Sequence, residues 1–163
     1  MGSPVSHPQA GATTDARPSV IETEHSIVIQ REPKDILPLI LDHERLEEWM
    51  DGLVESEATS AGPRVGSTYH QVLQIGGRLA SLCGEVTEFR PPRRLAYRSR
   101  IGDMTITSRW ELTPIDGGTR VRFVERSCMA GLMFSIMAPM IRLAIIRRHE
   151  NAVARLKRIA ESG

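Results

Sequence analysis

Three polar side chains recur where an acid–base site would need them: Tyr97, Ser108 and Glu125. Each lies in a stretch with strand character, RRLAYRSRI, MTITSRWELTPI and GTRVRFVERSC. Gly102-Asp103 and Asp116-Gly117 punctuate these stretches as two-residue turns. A two-residue loop at Asp116-Gly117 pairs Ile115 with Gly118, and so Trp110 with Phe123 and Ser108 with Glu125. The same loop at Gly102-Asp103 sets Tyr97 opposite Ser108 and Leu95 opposite Trp110. Both hairpins therefore send one set of side chains to one face, and a one-residue slip in either would scramble it. Across that face Tyr97, Ser108 and Glu125 form a row, with Cβ atoms about 4.5–5.5 Å apart. Polar groups on an otherwise apolar face must be paired or functional, because their burial costs free energy. A carboxylate in an apolar cavity acquires a raised pKa and serves as acid or base near neutrality. The plainer alternative puts Glu125 at the cavity mouth, hydrated or salt-bridged, and makes Tyr97 and Ser108 satisfied core groups.

A second source of chemistry is the last long apolar stretch. At about 3.6 residues per turn, Ile145, Ile146, His149, Ala152, Val153 and Leu156 share one stripe. Arg142, seven residues before His149, falls on it too. Arg147, Arg148, Glu150, Arg155, Lys157 and Arg158 fall on the opposite side. A histidine facing the sheet can shuttle protons. An arginine there can hold a carboxylate, enolate or phenolate. The competing readings are an Arg142–Glu125 ion pair and a hydrogen-bonded core histidine. Tyr69 and Gln71 share a face with Leu73 and Ile75 and are placed at the far end of the same cavity. His43 is isolated in the sequence. No GxSxG, HExxH, phosphate loop or dinucleotide glycine motif occurs. The two cysteines, Cys83 and Cys128, form no metal or redox motif, so neither metal nor cofactor is expected.

The elements that must position these groups follow from periodicity. Val20–Gln30 is β-branched and apolar in its second half and reads as a strand. EPKDILPLILD forms a short helix with Pro33 in its first turn, and HERLEEWM a second short helical turn carrying Trp49. From Leu53 to Cys128 the chain alternates strands and turns: GLVESEAT, STYHQVLQI, RLASLCGEVTEF, then the three stretches above, with breaks at Gly76-Gly77 and Pro91-Pro92. Gly131–Ala160 forms one long helix of roughly 45 Å, with Pro139 inside it. Its first half is apolar nearly all round and must be covered, the preceding strands being the expected cover. The pattern is α+β: an antiparallel meander with a long helix on one face.

The 163 residues suit one domain. The net charge of +1 hides an asymmetry: residues 1–60 carry 4 basic and 12 acidic groups, and residues 61–163 carry 17 and 8. The outer sheet face, with Arg98, Arg100, Arg109, Arg120, Arg122 and Arg126, is a solvated surface or a dock for an acidic carrier protein. Aromatics do not interleave with these arginines, which disfavours nucleic acid. Arg142 and Pro139 interrupt the apolar run, so stable membrane insertion is not expected. Residues 1–18, rich in Pro, Gly, Ser and Thr, read as a disordered tail and not a signal peptide. Cysteine usage fits a reducing cytoplasm.

EVTEFRPPRRLAYRSR followed by SRWELTPIDGGTRVRFVER resembles the polyketide cyclase/dehydrase branch of the START/Bet v 1-like (SRPBCC) superfamily. ILPLILDHERLEEW and the final ARLKRIAE resemble that family's first helices and last helix. The likeness spans roughly Val20 to Ser162. It implies one helix-grip domain, residues 19–163: a curved seven-stranded antiparallel sheet gripping a long C-terminal helix, with two short helices after the first strand. It also implies a hydrophobic, polyketide-like ligand in an internal cavity, handled as a cyclase or dehydratase would, or bound without catalysis as a lipid carrier would. A monomer or homodimer fits either. In the enzyme reading Glu125 or His149 is the acid/base, Arg142 stabilises an anion, and Tyr97 and Ser108 orient the substrate. Met104, Ile106, Trp110, Phe123, Ile146, Tyr69 and Gln71 would then line the ligand.

Overall fold

The computed structural model describes residues 18–163; the tail expected over residues 1–18 falls almost entirely outside them. Strand β1 (Ser19–Ile29) leads into helix α1 (Pro33–Leu41) and a 3-10 turn (Leu46–Glu48). Six strands follow: β2 (Leu53–Ala58), β3 (Thr68–Ile75), β4 (Arg78–Arg90), β5 (Arg94–Ile101), β6 (Met104–Ile115) and β7 (Gly118–Met129). Helix α2 (Leu132–Ser162) closes the chain. The second of the two expected short helices is thus a single 3-10 turn, which anchors Trp49 through its indole Nε1–H to the Leu39 carbonyl at 3.2 Å.

The strands form one antiparallel sheet in the order β1-β7-β6-β5-β4-β3-β2. Consecutive strands from β2 to β7 pair, β2 with β3 across a longer loop and the others through short turns, and α1 carries the chain across so that β1 lies beside β7. Both hairpins keep the expected register: Ile101 pairs with Met104, and Ile115 with Gly118. The β3–β4 turn uses Gly76 and Gly77 at φ +56° and +79°, a backbone region that side chains disfavour. Register shifts at Leu53/Glu55 and Val86/Glu88 mark bulges, which bend a strand.

The core has two parts. The larger joins Ile36, Leu37 and Ile40 of α1 with Val153 and Leu156 of α2 against Leu95, Trp110, Leu112, Val121 and Phe123. The smaller gathers Tyr69, Leu73, Leu82 and Ile106 toward the other end of the sheet. Helix α2 lies mainly along β1. Its second half is packed, with Leu156 fully buried. Its first half differs from expectation: Phe134 is buried, yet Leu132, Met133, Ile136, Met140 and Leu143 stay exposed. The sheet covers one side of that segment only. No helix among the described residues is long and apolar enough to cross a membrane.

Candidate functional site

The polar row forms as the register requires. Tyr97 stands opposite Ser108, Ser108 opposite Glu125, and Glu125 opposite Thr23 of β1. The pleat thus sends all four side chains to the face that meets α2, and the row runs between the two apolar clusters. Ser108 Oγ donates to Glu125 Oε2 at 3.5 Å. From α2, His149 Nε2 comes to 3.4 Å from the same oxygen. Glu125 and His149 have side chains only 16% and 12% exposed, so little water competes for either.

The imidazole is held on every side. Its Nδ1 is 3.3 Å from the Thr23 hydroxyl. Its ring meets Phe123 edge-on at 4.9 Å and His25 edge-on at 5.4 Å. With Thr23 donating to Nδ1, the ring proton sits on Nε2, which faces Glu125 Oε2 at 3.4 Å. When His149 takes a second proton, the Thr23 oxygen can accept instead. The pair can therefore gain or lose one proton without rearranging its heavy atoms. His25 Nε2 is buried with no hydrogen-bond partner. Burial, then the neighbouring His149, hold the His25 imidazole below its ordinary pKa of 6.5, while Glu150 and Glu125 oppose the shift.

Tyr97 adds a phenol. Burial, then Tyr69, raise its pKa far above the usual range, so it remains a donor at any working pH. Among the described residues its hydroxyl has no protein partner within hydrogen-bond distance. Tyr69, edge-on to Tyr97 at 5.3 Å, bonds Ser99 Oγ at 2.7 Å. Burial pushes Tyr69 up to about 12 despite that bond. Gln71 Nε2 donates to Ser56 Oγ at 3.1 Å, and Ser56 Oγ lies 2.7 Å from His43 Nδ1. His43, isolated in the sequence, is thus tied to this end of the face. Here the polar groups satisfy one another.

Arg142 is a correction. It is exposed and does not reach Glu125. The packed residues of α2 run Phe134, Ile141, Ile145, Arg148, in steps of seven, four and three. Such a stripe slants across a straight helix, so phasing backward from His149 overshoots. Arg148, assigned by phasing to the outer side, is the arginine drawn inward. Burial lowers its pKa, and the nearby Glu125 and Asp51 carboxylates push it back up. The signal that could have found it is the seven-residue step from Ile141.

The lining residues divide. Ile106 and Met104 belong to the smaller cluster, beside Tyr69 and Tyr97. Ile146 is half-buried on α2. Trp110 is locked into the larger core between Phe123, at 4.3 Å, and Trp49, at 5.8 Å. Phe123 bridges core and site by touching His149. A surface groove of about 560 Å³ lies elsewhere, between the β1–α1 junction, the Pro91-Pro92 turn and the β6–β7 hairpin. It includes no residue of the row. A smaller pocket of about 130 Å³ sits beside His43 and Ser56.

A seven-stranded antiparallel sheet holding a long C-terminal helix, with short helical segments after the first strand, is the START/Bet v 1-like helix-grip architecture. Within it the chain belongs to the family described as polyketide cyclase/dehydrase and lipid transport, whose model matches residues 20–161. Among solved structures, the Zhui aromatase/cyclase from Streptomyces sp. R1128 is similar at TM-score 0.74 and 13% identity, over 88% of this chain and 94% of that one. Ara h 8.0201 is similar at TM-score 0.70 and 11% identity, over 89% and 100%. A protein of unknown function from Staphylococcus aureus, SA2116, is similar at TM-score 0.72 and 16% identity, over 90% and 96%. At these identities the likeness concerns the fold. A comparison of the sequence with curated proteins finds no match.

Proposed function

We propose that the protein binds a hydrophobic, polyketide-like molecule between α2 and the inner sheet face and promotes its cyclisation or dehydration by acid/base chemistry. The observation that carries this reading is the Glu125–His149 pair, 3.4 Å apart and shielded, with Ser108 and Thr23 on its two ends. Both reactions begin by removing a proton beside a carbonyl. The Glu125–His149 pair takes that proton. Arg148 and the Tyr97 phenol stabilise the negative charge that develops on the carbonyl oxygen. The apolar clusters on either side of the row hold the chain and exclude water.

The test is deuterium exchange beside the carbonyl of 2-decanone in heavy water, followed by NMR. The wild type should accelerate exchange over buffer. Glu125→Gln and His149→Asn should each lose about a hundredfold of that acceleration. No acceleration by a folded wild type that still binds 2-decanone would overturn catalysis.

A carrier reading is favoured by a different observation: Tyr69, Ser99, Gln71, Ser56 and His43 are paired among themselves. That end of the face suits an apolar chain with no polar group to recognise. Native mass spectrometry of protein from its own host discriminates the two readings. A co-purifying fatty acid or isoprenoid, bound equally by wild type and Glu125→Gln, supports the carrier. An acidic carrier protein remains a candidate partner for the arginines on the outer face.

A further inference from the structure

We infer that the first half of α2 docks the protein on an anionic membrane surface. Exposure there is large: Leu132 73%, Met133 69%, Ile136 66%, Met140 63% and Leu143 50%. These side chains lie opposite the packed face that carries Phe134, Ile141 and Ile145, so they form one outward stripe. From Leu132 to Leu143 the stripe runs about 18 Å, three turns of helix. A contiguous apolar face of this kind on a water-soluble domain marks an interaction surface.

Charge decides the partner. Between Glu125 and Glu150 the chain has no acidic residue and four arginines, Arg126, Arg142, Arg147 and Arg148. Arg142 and Arg147 are exposed on the helix itself. A second copy meeting this face across a two-fold axis would set these arginines against their own equivalents, with no carboxylate on the segment to relieve them. The leading segment MGSPVSHPQAGATTDAR has no apolar run to cover the stripe. An anionic bilayer supplies both what the apolar residues and what the arginines need. An apolar helix face flanked by arginine settles into the headgroup region, and each arginine adds attraction to acidic lipid. The helix lies on the surface and does not span it. This inference does not depend on whether the Glu125–His149 pair is catalytic.

Co-sedimentation with vesicles tests it. The wild type should pellet with phosphatidylcholine vesicles containing phosphatidylserine, and bind pure phosphatidylcholine at least tenfold more weakly. Ile136→Ser/Met140→Ser should weaken binding to the acidic vesicles about tenfold or more. Arg142→Ser/Arg147→Ser should weaken it similarly and reduce its salt sensitivity. Circular dichroism confirms that each variant keeps its fold. Three results would overturn the proposal. The first is no pelleting of the wild type. The second is binding that survives Ile136→Ser/Met140→Ser, which leaves only diffuse charge attraction. The third is a dimer by light scattering that the same pair of substitutions dissolves, which assigns the face to a second copy.

Discussion

Glu125 and His149 meet at 3.4 Å while standing 24 residues apart, on a strand and on a helix. His25 shows the cost of building such a place. Its Nε2 is buried without a partner, and an unsatisfied buried nitrogen of this kind costs about 1–3 kcal/mol. His25→Phe keeps the edge-on packing against His149 and removes the orphan atom, so its Tm should equal or exceed that of the wild type. The substitution also bears on acid stability. His25 and His43 both titrate below the ordinary 6.5 when folded, chiefly through burial. The unfolded chain therefore binds more protons than the native one as pH falls below that value. Their contribution is intact above about pH 6.5 and is lost as pH drops through the folded values. Thermal unfolding between pH 7.5 and 5 should show this decline, and His25→Phe should make it shallower. A curve of unchanged slope would contradict the assignment. At this scale the sequence disclosed Tyr97, Ser108 and Glu125 because strand parity is strict. His25 and Thr23 were hidden because their partners lie across a pairing, β1 with β7, that no local turn encodes.

The elements explain which placements could be read in advance. Hairpins are fixed by their turns, so the β5–β6 and β6–β7 registers followed from Gly102-Asp103 and Asp116-Gly117. Helix α2 was legible as a helix but not in its rotation, because a stripe that slants exchanges Arg142 for Arg148 over two turns. Two substitutions probe how these elements are fastened. Leu156 is fully buried where α2 meets the larger core. Leu156→Ala should cost about 2–5 kcal/mol, read as a lower midpoint in urea with an unchanged slope. Gly84 on β4 lies directly beneath the Tyr69 ring, where a Cβ would collide with the phenol. Gly84→Ala should therefore displace Tyr69 and break its bond to Ser99. Tyrosine absorbance would follow the displacement, as a phenol pushed up to about 12 by burial is brought toward water and its ordinary value. Titration unchanged from the wild type would show that the ring has room to spare.

Over the whole molecule, the acidic first third and the basic remainder meet on the outer sheet face. Arg122 of β7 is held by Glu24 of β1 through two bonds of 2.7 Å and by Glu111 of β6 at 2.9 Å. Arg98 lies 3.8 Å from Glu85. Part of the arginine-rich face is therefore neutralised within the fold, by Glu24 from the acidic first third and by Glu85 and Glu111 from the basic remainder itself. Arg122→Ala removes a clamp across three strands. Because the site is exposed, the loss should be small and should shrink further in high salt, as chemical denaturation at two ionic strengths would show.

The pairing of the first strand with the last has a temporal consequence. Ser108 and Glu125 come together through one hairpin, a local and fast event. Thr23 and His25 join them only after β1 pairs with β7, a closure spanning about a hundred residues and entropically slow, whereas His149 lies 24 residues beyond Glu125. Glu125 precedes His149 in the chain, so during synthesis the pair is completed only once α2 has been made. A chain that stops short of α2 therefore lacks the imidazole and cannot form the Glu125–His149 contact. Stopped-flow refolding should show Trp49 and Trp110 fluorescence settling no later than the recovery of proton-exchange activity.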